Sequence, residues 1–459
     1  MTKDEKIAQL EAENAELKAV NAELMERIES LESKVLLLLK QLEKKGVKKD
    51  SHNSHNPPSQ DKSKPRRNKS LRKKTGRHPG GQKGHKGHTL LHKEKPDEEI
   101  DLKSDYCSEC GNDLTDLIHQ VVSKRQLVKL PPIAPIYVQY NQHSCLCPCG
   151  HHQKAAYPQE INAYIQYGPS VIALVSYLNV FQYVPYKRLQ ELLKDVFQLP
   201  ISQGTIKNLL NKAAEKSKPF YQAILDQIKS AIYVGSDETG AKVNGQKWWI
   251  WVWQNLKNTF LKASNSRGFQ TVEEVLPDGL PNATLVSDRL AAQLKTTTKA
   301  KQLCLPHLFR DLNYLEEQEQ NGWATQFKQL LKQALNLRST AELNDKAWDR
   351  EDTEAKMVEN QLNQLLVQSI NKDSCPQTLT FQKSMIKGRN YLFTFLYDLE
   401  VPPDNNASER AVRNVKVKQK ISGQFKSGQD SFCVLRSIID TLRKRKLNVL
   451  EYLEQIVAI

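Results

Sequence analysis

The sequence predicts a multidomain α/β protein: a long N-terminal coiled coil, a small cysteine-bearing module, a helical region and an α/β core. Three observations carry this prediction. Residues 7–39 hold an apolar seven-residue repeat, and five of the eight cysteines crowd between Cys107 and Cys149. From Ala231 onward, short β-branched and aromatic runs alternate with helical stretches, as an α/β core requires.

The N-terminal element covers residues 1–40. Leu10, Leu17, Leu24, Leu31 and Leu38 occupy d positions, and Ile7, Asn14, Asn21, Ile28 and Val35 occupy a positions. Leucine at d with two asparagines at a favours a parallel two-stranded coil, because a buried Asn pairs best with its mate across a dimer axis. A homodimer through this zipper is expected; antiparallel pairing, or pairing with another zipper protein, is the alternative.

Residues 41–99 change to Lys, Arg, Ser, Asn, Pro and Gly, with too little apolar content to build a core, and read as a disordered basic linker. Between Lys44 and Lys86 stand 15 Lys or Arg against Asp50 and Asp61, so this segment carries +13 of the chain's net +15. Such a tether suits a polyanion partner, with an affinity that falls steeply with salt. Arg66, Arg67, Lys73, Lys74 and Arg77 are the candidate phosphate contacts; a merely solubilising linker is the competing reading. The glycines of GRHPGGQKGHKGHTL, which follows, allow close backbone approach to a phosphate.

Residues 100–160 form the expected zinc-binding module. Cys107-Ser-Glu-Cys110-Gly111 reads as a zinc knuckle, and HSCLCPCGHH offers the partner half. The expected Zn²⁺ ligands are Cys107, Cys110, Cys147 and Cys149, with Cys145 as a substitute and His143, His151 or His152 as further alternatives. Cys304, Cys375 and Cys433 are scattered and read as ordinary buried thiols.

Residues 161–228 read as helical, and PYKRLQELLKDVFQLPISQGTIKNLLNKAAEK has the outline of a helix-turn-helix. Ser202 caps the second helix, Ile206, Leu209, Leu210 and Ala213 face inward, and Lys207, Asn208, Asn211 and Lys212 face out. Lys207 is a candidate DNA contact; a core helix pair without a binding role is the alternative.

The α/β core covers residues 229–420, with a helical insertion at about 323–372, and a helical region at 421–459 closes the chain. AIYVGSDETG, QKWWIWVWQN and TFLKASNS read as three successive strands, 268–276 as a helix, ATLVSD as a strand, and QLCLPHLFRDLNYL as a strand entering a helix. Three acids stand out: Asp237 and Asp288, where strands end, and Glu409, at the start of a cation-rich helix. Asn406-Ala-Ser-Glu409 also reads as a capping box. Strand alternation puts Asp237 on the face of Tyr233 and Gly235 and turns Glu238 away, so Asp237 is the candidate. A parallel neighbour would bring Asp288 beside it. Acids on adjacent elements can hold two Mg²⁺ (or Mn²⁺) ions, one activating a water or a 3′-hydroxyl and the other stabilising the leaving oxygen. His307, three residues after Cys304, is kept out of the catalytic set: packing or a hydrogen-bonded structural place is the reading, and a site-supporting role is the alternative.

The segments SDETG, CLPHLFRD after SDRLAAQ, and PPDNNASERAVRNVKVKQKISGQFKSGQDSF resemble the DDE transposases of the insertion sequence 66 family. Asn56-Pro57-Pro58-Ser59, GRHPGGQKGHKGHTL, the Cys107/Cys110 knuckle and the helix-turn-helix-like region are similar to that family's order of parts. The resemblance implies a ribonuclease H-like catalytic domain over 229–420 in which Asp237, Asp288 and Glu409 are the metal-binding acids. It further implies that Arg410, Arg413 and Lys416 contact DNA phosphates or the transition state. SDRLAAQ departs from the usual aromatic-rich surroundings of the second acid, and the second zinc half is compressed.

The function expected is a DNA transposase that cleaves insertion-sequence ends and transfers strands into target DNA, with double-stranded DNA as its partner and accessory proteins of the same element as further partners. The alternatives are a non-catalytic zipper and zinc DNA-binding regulator, a decayed transposase copy, and a nuclease that cuts without joining. A bacterial, cytoplasmic and nucleoid-associated location is expected. The longest apolar stretch, Val171 to Phe181, is interrupted by Ser176 and Asn179 and is short of a membrane span. The charged, heptad-like start does not read as a signal peptide.

Overall fold

The computed structural model describes residues 3–43, 49–50, 52–54, 84 and 90–458. The candidate cations Arg66, Arg67, Lys73, Lys74 and Arg77 lie outside the described residues. So do Asn56-Pro57-Pro58-Ser59 and most of the glycine-rich segment.

The heptad region is one helix, α1 (Lys3–Glu43). Ile7, Leu10, Leu17, Leu24, Ile28, Leu31 and Val35 are all about half exposed, so the a/d seam is uncovered within one chain. Residues 90–168 are largely irregular and exposed, with one small antiparallel ladder, β1 (Ser144–Leu146) with β2 (His152–Lys154).

Next comes a helical layer: α2 (Pro169–Ser176), extended by a π-helical turn over Tyr177–Phe181, then α3 (Tyr186–Phe197), α4 (Gln203–Lys216) and α5 (Lys218–Lys229). The Ser202 hydroxyl caps α4 by accepting from the Thr205 amide at 3.1 Å, as expected. Ile206, Leu209, Leu210 and Ala213 are buried, while Lys207, Asn208 and Lys212 are exposed.

The core sheet is built from β3 (Tyr233–Val243), β4 (Gln246–Gln254), β5 (Thr259–Ser264), β6 (Leu280–Ser287) and β7 (Thr298–Leu303), in the order β5-β4-β3-β6-β7. The first three strands form an antiparallel meander; β6 runs parallel to β3, and β7 parallel to β6. The sheet is covered on both faces, which explains why Ile250, Trp251, Val252 and Trp253 are consecutive and all buried instead of alternating with polar residues. Short helices α6 (Phe269–Val275) and α7 (Ala291–Lys295) flank β6 in the chain.

After β7 the chain forms α8 (Leu305–Glu319), α9 (Gly322–Leu343), α10 (Thr353–Val367), α11 (Pro376–Lys387), a 3₁₀ turn at Arg389–Tyr391 and α12 (Thr394–Tyr397). These helices share a second core with Val286 and Leu303, including Phe327, Leu362, Met385 and Phe395. Arg338 of α9 ties this helical block down by donating to the carbonyls of Phe395, Asp398 (2.9 Å) and Leu399 (2.5 Å). The chain then returns to the sheet as α13 (Asn406–Ser422), α14 (Gln429–Lys444) and α15 (Val449–Ala458). α13 packs on β3 and β4, and α14 on β5.

Candidate active site

The parallel register between β3 and β6 pairs Gly235 with Val286. Continued two residues beyond the ladder, it sets Asp237 opposite Asp288. The parallel neighbour is as expected, but Asp237 is not where a strand ends: β3 continues six residues past it, to Val243, paired with β4. The Asp237 carboxylate accepts from the Glu238 amide at 2.8 Å, and Asp288 accepts from the Leu290 amide at 2.9 Å. Each carboxylate is thereby oriented by its own backbone.

The start of α13, which carries Glu409, is held over the central strand β3 by a buried polar network. Asn405 donates to the Ser236 carbonyl at 2.6 Å, Ser408 donates to Asn405 Oδ1 at 2.5 Å, and Gln254 Nε2 donates to Ser408 Oγ at 3.2 Å. The Asn405 amide also donates to the Cys304 sulfur at 3.2 Å. Gly235 makes this approach possible: a Cβ there would stand 2.5 Å from Gln254 Nε2 and 2.7 Å from both Asn405 Oδ1 and Ser408 Oγ. The capping-box reading of Glu409 is not realised. The helix N-cap is Asn405, not Asn406, and no side chain caps the helix, which leaves the Glu409 carboxylate available to the site.

The Glu409 carboxylate faces α8. Its Oε1 lies 3.7 Å from His307 Nδ1 and 3.8 Å from Arg310, within ion-pair range but beyond hydrogen bonding, and this buried oxygen has no hydrogen-bond partner. His307 Nδ1 is 3.2 Å from the Cys304 sulfur. Cys304, His307 and Glu409 present ligand atoms within 4.8 Å of one another, the only such trio of His, Cys, Asp or Glu among the described residues. His307, in the first turn of α8, thus stands beside Glu409 and the Cys304 N-cap, in the site-supporting place that was the alternative to packing.

Asp237 is strongly perturbed. Burial pushes its pKa well above the carboxylate range, and the charges of Glu238, Asp288 and Glu409 push in the same direction. Glu238 is a further acid that strand alternation had turned away. Its side chain is 3 % exposed, accepts from Arg267 at 2.7 Å and from Gln293 at 3.1 Å, and has a pKa raised to about 7 by burial and by the charge of Asp288. Asp288 lies past the end of β6, so its field reaches acids on both faces of β3. Among the described residues, neither Asp237 nor Asp288 has a cationic ion-pair partner.

Along α13, Arg413 and Lys416 follow Glu409 at four and seven residues, on one helix face, and Lys420 extends the row. Arg410, Arg413 and Lys420 are exposed, and Lys416 donates to the Gly240 carbonyl at 2.5 Å. Lys207 is exposed on α4, in the separate helical layer.

The zinc candidates lie in two turns closed by similar backbone hydrogen bonds, the second one residue shorter than the first. In the first, the Cys107 amide donates to the Asn112 carbonyl and the Gly111 amide to the Cys107 carbonyl; in the second, the Cys147 amide donates to the His151 carbonyl and the Gly150 amide to the Cys147 carbonyl. Gly111 and Gly150 both have positive φ, at 73° and 88°, which lets each turn close. The amides of Cys110 and Glu109, with the Cys110 thiol, lower the Cys107 pKa; the Cys147 thiol and the His151 amide do the same for Cys149. The structure does not gather Cys107, Cys110, Cys147 and Cys149 into one four-ligand group. Cys145 lies exposed in β1.

The fold is a mixed sheet with Asp237 on its central strand, Asp288 just past β6 and Glu409 on the returning helix; the three carboxylates do not gather as closely as Cys304, His307 and Glu409 do, and Glu409 reaches Asp237 as a neighbouring charge. Residues 164–431 match the model of the Transposase IS66 family, and the chain belongs to that family. Residues 2–90 match a family of unknown function (DUF6444). No curated protein matches the chain.

Proposed function

We propose that this transposase uses Asp237, Asp288 and Glu409 as the metal-binding acids of a ribonuclease H-like domain, cleaving the ends of its element and joining the freed strand to target DNA. The observation that carries the reading is the perturbation of Asp237. A carboxylate raised first by its burial and then by the charges of Glu238, Asp288 and Glu409, with no cation paired to it or to Asp288 among the described residues, is one whose charge a divalent cation would offset. The orphaned buried oxygen of Glu409 fits the same role. The sheet order, with an antiparallel meander followed by two parallel strands, supports the ribonuclease H-like assignment.

Asp237, Asp288 and Glu409 would hold Mg²⁺ or Mn²⁺, which supplies activation of the attacking oxygen and stabilisation of the leaving one when bound. The protein's own part is positioning. Asn405, Ser408 and Gly235 fix the distance from Glu409 to Asp237, and Arg310 and His307 hold the Glu409 carboxylate. Arg410, Arg413 and Lys416 then meet DNA phosphates along α13, and Lys207 meets them from the helix-turn-helix-like layer. Hydrolysis and strand transfer are both in-line displacements at phosphorus, so one constellation of acids serves both.

The exposed α1 seam supports a zipper homodimer, and the two cysteine knuckles support a Zn²⁺ site completed when Cys107, Cys110, Cys147 and Cys149 converge. Asp237→Asn tests the catalytic reading: cleavage of element-end DNA is lost while DNA affinity stays within about twofold of wild type. Loss of binding together with cleavage would remove Asp237 from the catalytic set.

A further inference from the structure

The linker residues just after α1 dock on α8, the helix that faces Glu409. Asn53 Nδ2 donates to Glu317 Oε2 at 2.7 Å, Asn313 Nδ2 donates to the His52 carbonyl at 3.1 Å, and Lys49 Nζ sits 4.8 Å from the centre of the Tyr314 ring. The segment is preformed for this contact. Asp50 accepts from the His52 and Asn53 amides at 2.7 and 3.3 Å, its own amide donates to Asn53 Oδ1 at 2.9 Å, and Ser54 Oγ donates to its carbonyl at 2.5 Å. Asn53 is 3 % exposed and Ser54 9 %, in a stretch whose composition predicts full solvation.

The position on α8 gives the contact its meaning. His307, Arg310, Tyr314 and Glu317 recur at three- and four-residue steps and share one face of the helix. One end of this face meets Glu409, and the other, ten residues or about 15 Å away, meets the linker. Asp311 on the same helix pairs with Arg289, the residue after Asp288. A single rigid helix therefore spans from the acid cluster to the start of the basic segment.

We propose that Lys49, Asp50, His52, Asn53 and Ser54 form a latch that anchors the N-terminal arm to α8, so that the basic segment, by its sequence the main cationic part of the chain, engages DNA beside the acid cluster. The latch raises DNA affinity through local concentration and adds no base-specific contact. The proposal rests on the reading of the acid cluster as the DNA-processing site only for the place of DNA; the docking itself does not depend on it.

The test uses the full-length protein, Asn53→Ala and Glu317→Gln, with two readouts: the rate of trypsin cleavage after Lys49, resolved by mass spectrometry, and affinity for a DNA duplex in EDTA, where no cleavage occurs. Loss of a hydrogen bond to a charged group speeds cleavage after Lys49 by about tenfold in Asn53→Ala, and the weaker neutral bond that glutamine still accepts gives a smaller, about threefold, rise in Glu317→Gln. DNA affinity falls about three- to tenfold in both, with the salt dependence unchanged because the phosphate contacts are retained. Glu317→Gln is the sharper arm. Removing an acid from a DNA-binding protein raises affinity by charge alone, whereas loss of the latch lowers it. Equal cleavage rates in wild type and variants would overturn the docking. Unchanged or raised DNA affinity with faster cleavage, or a wild type that does not bind DNA, would overturn its role. Loss of metal-dependent cleavage activity leaves both readouts intact and bears only on the catalytic reading.

Discussion

Replacing Gly235 by Ala isolates the contact that places Glu409. The backbone at Gly235 has no positive φ, so alanine by itself would be favoured there by about 0.5–1 kcal/mol. Its Cβ, however, would meet Gln254 Nε2 at 2.5 Å and Asn405 Oδ1 and Ser408 Oγ at 2.7 Å. None of these atoms can simply swing away: Ser408 bonds Asn405, Gln254 bonds Ser408, and the Lys444 ammonium holds Gln254 Oε1 at 2.8 Å. Overpacking of this kind costs about 1–3 kcal/mol, and one buried hydrogen bond left unmade costs about 1–3 kcal/mol more. After the backbone gain, a net loss of about 1–5 kcal/mol follows. The displacement falls on the junction between β3 and α13, so Glu409 moves relative to Asp237. A misplacement of about 1 Å in a reacting constellation lowers the rate about 10²-fold. The assay pairs the urea midpoint followed by fluorescence of buried Trp251 and Trp253 with Mg²⁺-dependent DNA cleavage at a temperature where the variant is folded. A variant with wild-type midpoint and wild-type cleavage would refute the claim that Gly235 sets the approach of the helix.

Glu238 makes the metal-free protein sensitive to pH. Its pKa is 4.5 when unperturbed and about 7 in the fold, so the native state holds this proton more tightly than the unfolded chain. Below pH 4.5 it contributes nothing to the pH dependence; stability is lost progressively as pH rises from about 4.5 to about 7, by about 3 kcal/mol in total. Glu238→Gln should flatten this fall in thermal melts taken with EDTA between pH 5 and 8; an unchanged slope would contradict it. Leu17→Lys with Leu24→Lys should turn a dimer into a monomer in sedimentation equilibrium, and no change in mass would remove the zipper. Zinc bound at about one ion per chain should be lost in Cys107→Ser and in Cys149→Ser, whereas metal retained in both would exclude the knuckles as ligands.

Local pattern was enough for much of this architecture. The heptads of residues 7–39 lie in one helix, the apolar runs from Ala231 became β3, β4 and β5, and Ser202 caps α4. The parallel neighbour expected for Asp237 is β6, but Asp237 does not end its strand: it is the fifth of the eleven residues of the central strand β3 and stays paired with β4. What escaped depended on contacts distant in sequence. Glu238 obeys strand alternation, yet Asp288 lies beyond its strand and reaches it electrostatically. The Asn405, Ser408 and Gln254 network joins positions more than 150 residues apart, and no local signal marks Gly235 as its close neighbour. A one-residue shift of the N-cap, from Asn406 to Asn405, decided whether Glu409 capped a helix or faced the acids. The two cysteine knuckles follow from their short motifs, while their convergence depends on how the intervening chain folds.

The central claim is that three acids on β3, after β6 and on α13 process DNA together. Strand transfer of element-end DNA in Mg²⁺, with the element's accessory proteins present, compares wild type with Asp237→Asn, Asp288→Asn and Glu409→Gln most directly. The account predicts joined products from the wild type and a loss of at least about 10³-fold in every variant, with DNA binding retained. Joined products that persist in any one of the three would contradict it.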